Sequence, residues 1–169
     1  MPKISIGAVC HKNSIPSFFA LLFASVLLSF GASAAEPVKV VVLEPGSGEF
    51  ETLLRREVAS AGQLSKVPFL QITAEWCGPC KALRASLGDP LMRDAFAGTY
   101  IIQVDFDAWQ QELKRAGFDH PAIPVFFAVD GAAHPTGQKI DGGAWGEDIP
   151  RNMAPPLKAF FTEVLARQR

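Results

Sequence analysis

The sequence contains little cysteine. Its 169 residues include three cysteines, Cys10, Cys77 and Cys80. A secreted domain that depends on disulfides for its stability carries several cysteine pairs at long spacings. Cys77 and Cys80 are separated by two residues, so a bond between them closes too small a loop to constrain the unfolded chain much. A stabilising staple is therefore the least favoured role for this pair, and a redox pair or half of a metal site remain.

The sequence also lacks an excess of charge of either sign. Its formal net charge is −1, and it contains no run of like charges, no internal repeat and no low-complexity tract. A nucleic-acid-binding domain usually carries a basic patch, so we expect no nucleic-acid partner. Hydrophobic residues make up 49% of the chain and charged residues 20%. This composition is typical of one packed domain and not of a disordered chain.

No apolar run is long enough for a standard membrane-spanning helix. The longest, FFALLFASVLLSF, begins at Phe18 and has about 13 residues, against the roughly 20 that a bilayer requires. It follows a weakly basic start and precedes Ala32-Ser33-Ala34, which fits a signal peptidase site. This order predicts a signal peptide at residues 1–34, removed together with Cys10, and a periplasmic domain at 36–169. The alternative is an uncleaved N-terminal anchor.

Hydrophobic periodicity predicts an α/β fold. Runs rich in β-branched and aromatic residues predict strands at 38–43, 68–73, 100–106, 125–129 and, more weakly, 138–140. Helical spacing of apolar residues predicts helices at 50–61, 80–87, 91–96, 108–116 and 157–166. Alternation of the two element types indicates a central sheet of four to five strands with helices on both faces. The turn signal Asp130-Gly131 makes part of that sheet antiparallel, so the sheet is mixed.

The cysteine pair lies where a predicted strand ends and a predicted helix begins. A helix N-terminus carries unpaired N–H groups and partial positive charge, which favour a thiolate at Cys77. Cys80, one turn later, is placed to attack a mixed disulfide on Cys77 and to release the product. Pro79 suits a first helical turn, Gly78 allows a tight turn, and Trp76 can shield one side of the pair.

Two segments resemble the thioredoxin family. AEWCGPCK at 74–81 is similar to the thioredoxin active-site segment. AIPVFFAVDG at 122–131 resembles the segment in which a cis proline, preceded by isoleucine, faces the cysteines. The resemblance covers roughly 38–166 and implies a thioredoxin-like fold, a cis bond before Pro124, and an active-site surround that includes Ile123 and a groove glycine at Gly142 or Gly143.

Several positions depart from the family pattern. Thioredoxins carry a buried Asp six residues before the first cysteine, paired with a Lys on the next strand; this chain has Gln71 and Gln103 there. A glutamine cannot accept a proton as a carboxylate would, so the family's usual base for Cys80 is missing. Thr73 replaces an expected aromatic residue, and Glu75 is the nearest carboxylate, although the family exposes that position to solvent.

An insertion is implied at about 142–156, where thioredoxins have a short loop before the last helix. Its sequence is GGAWGEDIPRNMAPP. One interpretation is a surface loop whose Trp145 packs on the domain. The other is a recognition loop beside the active site, because long loops in compact domains are often functional.

The predicted function is that of an extracytoplasmic thiol-disulfide oxidoreductase that reduces protein disulfides through Cys77 and Cys80. It needs no cofactor, acts as a monomer on disulfide-containing clients, and by family analogy receives electrons from a membrane thiol carrier. One alternative is a disulfide oxidase or isomerase. The other is a non-catalytic metal carrier or binding module; His120 and His134 are the available extra ligands, but they lack the close spacing of a zinc site.

Overall fold

A computed structural model describes residues 36–168 of the chain. The signal peptide predicted at 1–34, its alternative as an anchor, and Cys10 lie outside the described residues. Within 36–168, no helix is both long and apolar enough to cross a membrane.

The centre of the domain is a five-stranded mixed sheet, as predicted. Its strands are β1 (Lys39–Val42), β2 (Val67–Thr73), β3 (Thr99–Asp105), β4 (Val125–Val129) and β5 (Pro135–Asp141). They lie in the order β1-β3-β2-β4-β5. β3 pairs in parallel with β1 and β2, whereas β4 is antiparallel to both β2 and β5. The weakly predicted fifth strand is present and longer than expected.

Helices cover both faces of the sheet. They are α1 (Phe50–Gln63), α2 (Gly78–Ser86), α3 (Pro90–Ala95), α4 (Phe106–Arg115) and α5 (Pro150–Arg167). α1 and α4 bury their apolar residues in one core cluster, which includes Leu54 and Leu113. α2, α3 and α5 contribute to a second cluster, which includes Leu83, Met92 and Phe161.

Strand alternation divides the sheet residues between the two clusters. Leu70 and Ile72 of β2 pack in the first cluster, and Phe69 packs in the second. Because successive side chains of a strand point to opposite faces, Gln71 lies on the α2, α3 and α5 face. The β2–β3 register pairs Gln71 with Gln103, so both amides lie on that face, next to each other as the resemblance to thioredoxins implies.

The last helix begins earlier than the sequence predicts, at Pro150 and not near Leu157. Pro150 occupies the first turn, where its missing N–H is not needed. Pro155 and Pro156 lie inside the helix, where each removes a backbone hydrogen bond. Met153 and Ala154 are buried before them, and this burial holds the helix through the two prolines. Much of the segment expected as a loop at 142–156 is therefore helical.

Candidate active site

Cys77 and Cys80 form a disulfide where β2 leads into α2. The sulfur atoms are 2.02 Å apart and the Cα atoms 5.3 Å apart. Cys77 is the N-cap residue of α2, and its Sγ accepts a hydrogen bond from the Cys80 N–H at 3.1 Å. The helix terminus therefore offers an N–H group directly to the sulfur of Cys77. In the reduced protein the same group would stabilise negative charge on that sulfur.

Pro79 and Gly78 occupy the first turn of α2. Pro79 fits there, because its absent N–H is one that the helix leaves unpaired anyway. Gly78 is not required by the turn: its φ lies outside the left-handed region, and an added Cβ would meet nothing within 4 Å. The turn that Gly78 was expected to allow is therefore one that another residue could also adopt. Its small size leaves the surface beside Cys77 open.

Both cysteines are largely covered in the oxidised protein. Cys77 is 4% exposed and Cys80 1% exposed. Ala74 is buried with them, and Phe106 and Ile123 pack against this small cluster. Attack by Cys77 and release by Cys80, the roles expected for the pair, would place Cys77 at the surface. In the oxidised protein it is scarcely more exposed than Cys80, because these neighbours cover both residues.

The predicted proline segment meets the cysteines. The Ile123–Pro124 peptide bond is cis, as expected. The carbonyl oxygen of Ile123 lies 3.7 Å from Sγ of Cys77. Since a disulfide sulfur has no proton to donate, this is a contact in the oxidised protein, and the thiol of reduced Cys77 could donate across it. Pro124 is buried directly behind Ile123.

Gly142 is the glycine that lies against this segment. Its N–H donates to the carbonyl oxygen of Pro124 at 3.0 Å. A Cβ at position 142 would lie 3.3 Å from Cδ of Pro124 and 3.6 Å from Cζ2 of Trp145. The N–H of Gly143 instead donates a capping hydrogen bond to Oδ1 of Asp141 at 2.9 Å. A Cβ at position 143 would lie 3.0 Å from that same Oδ1, so both glycines are close to a neighbour, but only Gly142 lies against Pro124.

Trp145 packs on the domain and does not project from it. Its ring is buried in the cluster under α3 and α5, and Nε1 donates to Oδ1 of Asp148 at 2.9 Å. Trp145 therefore packs on the domain, as in the interpretation of 142–156 as a surface segment.

Trp76 is held beside the disulfide by residues that the sequence analysis did not single out. Its side chain is 63% exposed, yet Nε1 donates to Oδ2 of Asp107 at 2.7 Å. Its ring meets Phe106 edge to face at 6.4 Å between centroids. Phe106 and Asp107 directly follow β3. Adjacent parallel strands end at one sheet edge, so the pairing of β2 with β3, had it been known, would have pointed to both residues.

An open groove of about 360 Å³ runs along this side of the disulfide. Its walls are Trp76, Phe106, His120, Pro121, Ala122 and Ile123. His120 had been considered only as a metal ligand. Within residues 36–168 no group of three or more His, Cys, Asp or Glu side chains is placed to hold a metal ion, and His134 instead lies 3.8 Å from Asp130.

Within residues 36–168, the place of the family's buried carboxylate is taken by the amide of Gln71. Gln71 is 7% exposed, and within the described residues no hydrogen bond joins its side chain to that of Gln103. Thr73 lies two residues further along β2. Its hydroxyl is buried and has no hydrogen-bond partner among residues 36–168. Glu75 projects to solvent, where Arg84 Nη1 donates to its Oε1 at 2.9 Å, so it does not replace the buried base.

Comparisons with known proteins agree with this geometry. The chain is 28% identical over 94 residues to a thioredoxin H-type from Oryza sativa subsp. indica, which covers 55% of this chain and 70% of the rice protein. The crystal structure of a disulphide isomerase from Xylella fastidiosa Temecula1 superposes with a TM-score of 0.52 at 20% identity, over 73% of this chain and 97% of that one. A thioredoxin from Trypanosoma brucei brucei gives 0.50 at 17%, over 78% and 96%.

No protein-family model matches the chain. The two structures show a shared fold, and the rice relative carries the likeness in sequence. The predicted resemblance to thioredoxins and the predicted fold are both confirmed.

Proposed function

We propose that this thioredoxin-like redox protein reduces protein disulfides outside the cytoplasm, with Cys77 as nucleophile and Cys80 as the resolving cysteine. The observation that carries the proposal is the position of the Cys77 sulfur. This sulfur caps α2 and accepts a hydrogen bond from the Cys80 N–H at 3.1 Å. It also contacts the Ile123 carbonyl beside an open groove. A client chain in that groove would bring its disulfide to the sulfur that the helix terminus stabilises as a thiolate.

The reaction is a pair of thiol–disulfide exchanges. In the reduced protein, the Cys77 thiolate attacks one sulfur of the client disulfide, and the other client sulfur leaves as a thiolate that takes up a proton. Cys80, after losing its proton, then attacks Sγ of Cys77 and releases the first client sulfur. Two electrons pass from the dithiol to the client, and the bond that remains is the Cys77–Cys80 disulfide seen in the structure.

The reducing direction is supported by the residues between the cysteines. Gly78-Pro79 is the dipeptide of thioredoxin, which is a strong reductant, whereas oxidants of the same fold use other dipeptides. A reductase in an oxidising compartment must be re-reduced after each turnover. We therefore include in the proposal a membrane thiol carrier as electron donor, and an N-terminal segment that directs the domain to the periplasm or anchors it there.

A disulfide oxidase or isomerase is the second candidate. It is supported by the likeness to the Xylella fastidiosa disulphide isomerase, which shares the fold over most of this chain. Such a protein would donate or rearrange disulfides through the same two cysteines, so only the energetics distinguish it from a reductase.

The reduction potential of the purified protein separates the two candidates. The Cys77–Cys80 couple is equilibrated with dithiothreitol or glutathione buffers, and its oxidised fraction is read after thiol alkylation. We expect a value near the roughly −270 mV of thioredoxin. A value at or above about −180 mV, where protein disulfide isomerase lies, would overturn the reductase assignment and support the second candidate. A redox-inert pair would exclude both.

A further inference from the structure

The groove beside Cys77 has a wall that the cysteine motif does not provide. The segment Asp119 to Ala122 leads into Ile123, and its His120 lines the groove together with Trp76; both rings contact Phe106. Ile123 connects this wall to the reacting sulfur through the 3.7 Å contact of its carbonyl oxygen with Cys77. A client residue adjacent to the attacked cysteine would therefore lie against His120.

His120 makes three contacts within the domain. Its ring meets Phe106 edge to face at 5.5 Å between centroids, and it meets Phe127 in the same manner at 6.4 Å. Nδ1 lies 2.9 Å from the carbonyl oxygen of Phe118. Since a carbonyl oxygen only accepts, Nδ1 carries the proton of this bond, and the bond orients the ring.

The segment that carries His120 is also held in place. Nζ of Lys139 donates to the carbonyl oxygen of Asp119 at 2.6 Å and lies 5.5 Å above the ring of Phe127. Trp76, another residue of the groove wall, is exposed, and its indole donates a hydrogen bond to Asp107. These contacts favour the observed geometry of the groove before a ligand binds, which lowers the ordering cost of binding.

We propose that His120 is a specificity-determining residue, which together with Phe106 and Trp76 selects client disulfides that have an aromatic side chain beside the attacked cysteine. This inference rests on the proposed function. The occupant follows from the walls: three rings and the apolar surfaces of Pro121, Ala122 and Ile123 leave room for an apolar side chain. Aromatic rings prefer edge-to-face and offset partners, which this arrangement offers to an added ring.

The test compares two disulfide-linked peptides that are identical except for Phe or Ala next to the cysteine. Hydroxyethyl disulfide, which is too small to reach the groove walls, serves as the third substrate. The wild type is compared with His120→Ala, with His120→Phe, and with His134→Ala as the matched control at an exposed histidine outside the groove. The readout is kcat/KM for each substrate, and thermal unfolding checks that each variant is folded.

We expect the wild type to prefer the Phe peptide, and His120→Ala to lower kcat/KM for that peptide by about two- to tenfold, the range of one aromatic contact. The Ala peptide and hydroxyethyl disulfide should react at the wild-type rate. His120→Phe should keep the preference, because it keeps a ring against Phe106. His134→Ala should behave as the wild type.

Three results would overturn the inference. They are a wild type without preference, a preference that survives His120→Ala, and an equal loss on all three substrates, which would indicate an effect on the thiol chemistry. As long as the wild type reduces hydroxyethyl disulfide, none of these three results contradicts the proposed function. If the wild type reduces no substrate, the reductase proposal fails, and the same peptides are then supplied as dithiols to the oxidised protein. If the oxidised protein does not prefer the Phe peptide when it oxidises these dithiols, the inference about His120 fails too.

Discussion

Gln71 of β2 lies directly opposite Gln103 of β3 in the parallel ladder, on the face of the sheet that α2 covers. In thioredoxins, as the resemblance implies, an Asp–Lys pair occupies these two positions and the Asp assists the resolving cysteine. This chain keeps the cross-strand geometry and replaces both charges with amides. The ionisation of Cys80 therefore lacks its usual proton acceptor, and Glu75 does not supply one because it is bound to Arg84 at the surface.

We predict that the double variant Gln71→Asp, Gln103→Lys accelerates the resolving step near pH 7 and flattens its dependence on pH. A carboxylate at position 71 could take the proton of Cys80 and make the attacking thiolate available. In the wild type the rate should rise with pH towards the ordinary range of thiol ionisation, at about 8.5. Stopped-flow disulfide reduction across pH measures both effects.

The control for this variant is Gln71→Asp alone, which buries an unpaired charge and should lower stability. Equal rates and equal pH profiles for the wild type and the double variant would show that another group, or water, already serves as the base. Glu75→Gln, tested in parallel, should leave the wild-type profile unchanged.

The order of attack predicts which cysteine forms trapped complexes. Cys80→Ala should accumulate mixed disulfides between Cys77 and client proteins, because no second thiol releases them. Cys77→Ala should accumulate far fewer, because it is the sulfur of Cys77 that contacts Ile123, a residue of the groove wall. Non-reducing gels after alkylation give the measurement. The opposite pattern would reverse the assignment of the two roles.

Gly142→Ala should disturb the proline segment next to the cysteines. The added Cβ would lie 3.3 Å from Pro124 and 3.6 Å from Trp145, a contact that is tighter than usual and that costs about 1 kcal/mol of stability where the neighbours cannot move. We expect a lower kcat/KM for peptide disulfides and a small loss in urea midpoint. Gly131→Ala, where a Cβ meets nothing within 4 Å, is the matched control and should change neither.

Tyr100 provides a pH-dependent probe of stability away from the cysteines. Burial, followed by the hydrogen bond to Glu57, raises the pKa of Tyr100 to about 12 from an ordinary value of 10. The folded state thus favours the neutral phenol. The associated stability is fully present below pH 10 and is lost as the pH rises from 10 towards 12.

Because the chain contains a single tyrosine, the absorbance of tyrosinate reports on Tyr100 alone. It should appear near pH 12 in the folded protein and near pH 10 in urea. Tyr100→Phe should lower the free energy of unfolding by about 1–3 kcal/mol, because it removes a hydrogen bond to a buried carboxylate. In this variant, the free energy of unfolding should also fall less steeply between pH 10 and pH 12 than in the wild type. A folded protein that titrates near pH 10 would contradict this prediction.

Local patterns in the sequence were sufficient for most elements but not for their boundaries. All five strands and five helices occur where periodicity placed them, since each pattern reflects one buried face of one segment. The exception is α5, whose start at Pro150 contradicts the ordinary meaning of a proline-rich stretch. The burial of Met153, Ala154 and Leu157 outweighs the two interior prolines, and that burial depends on partners from β2, β4 and α3.

That the proline segment faces the cysteine pair was implied by the resemblance to thioredoxins. The residue patterns by themselves determined the position of the cysteine pair at the start of a helix and the α/β order of elements. These depend on residues close together in the chain. Only the tertiary structure decided that Asp107 holds Trp76, that Gly142 is the glycine against Pro124, and that His120 forms a wall of the groove. These contacts join segments of different elements, such as Trp76 and Asp107, 31 residues apart. They depend on strand order and register, which local periodicity does not encode.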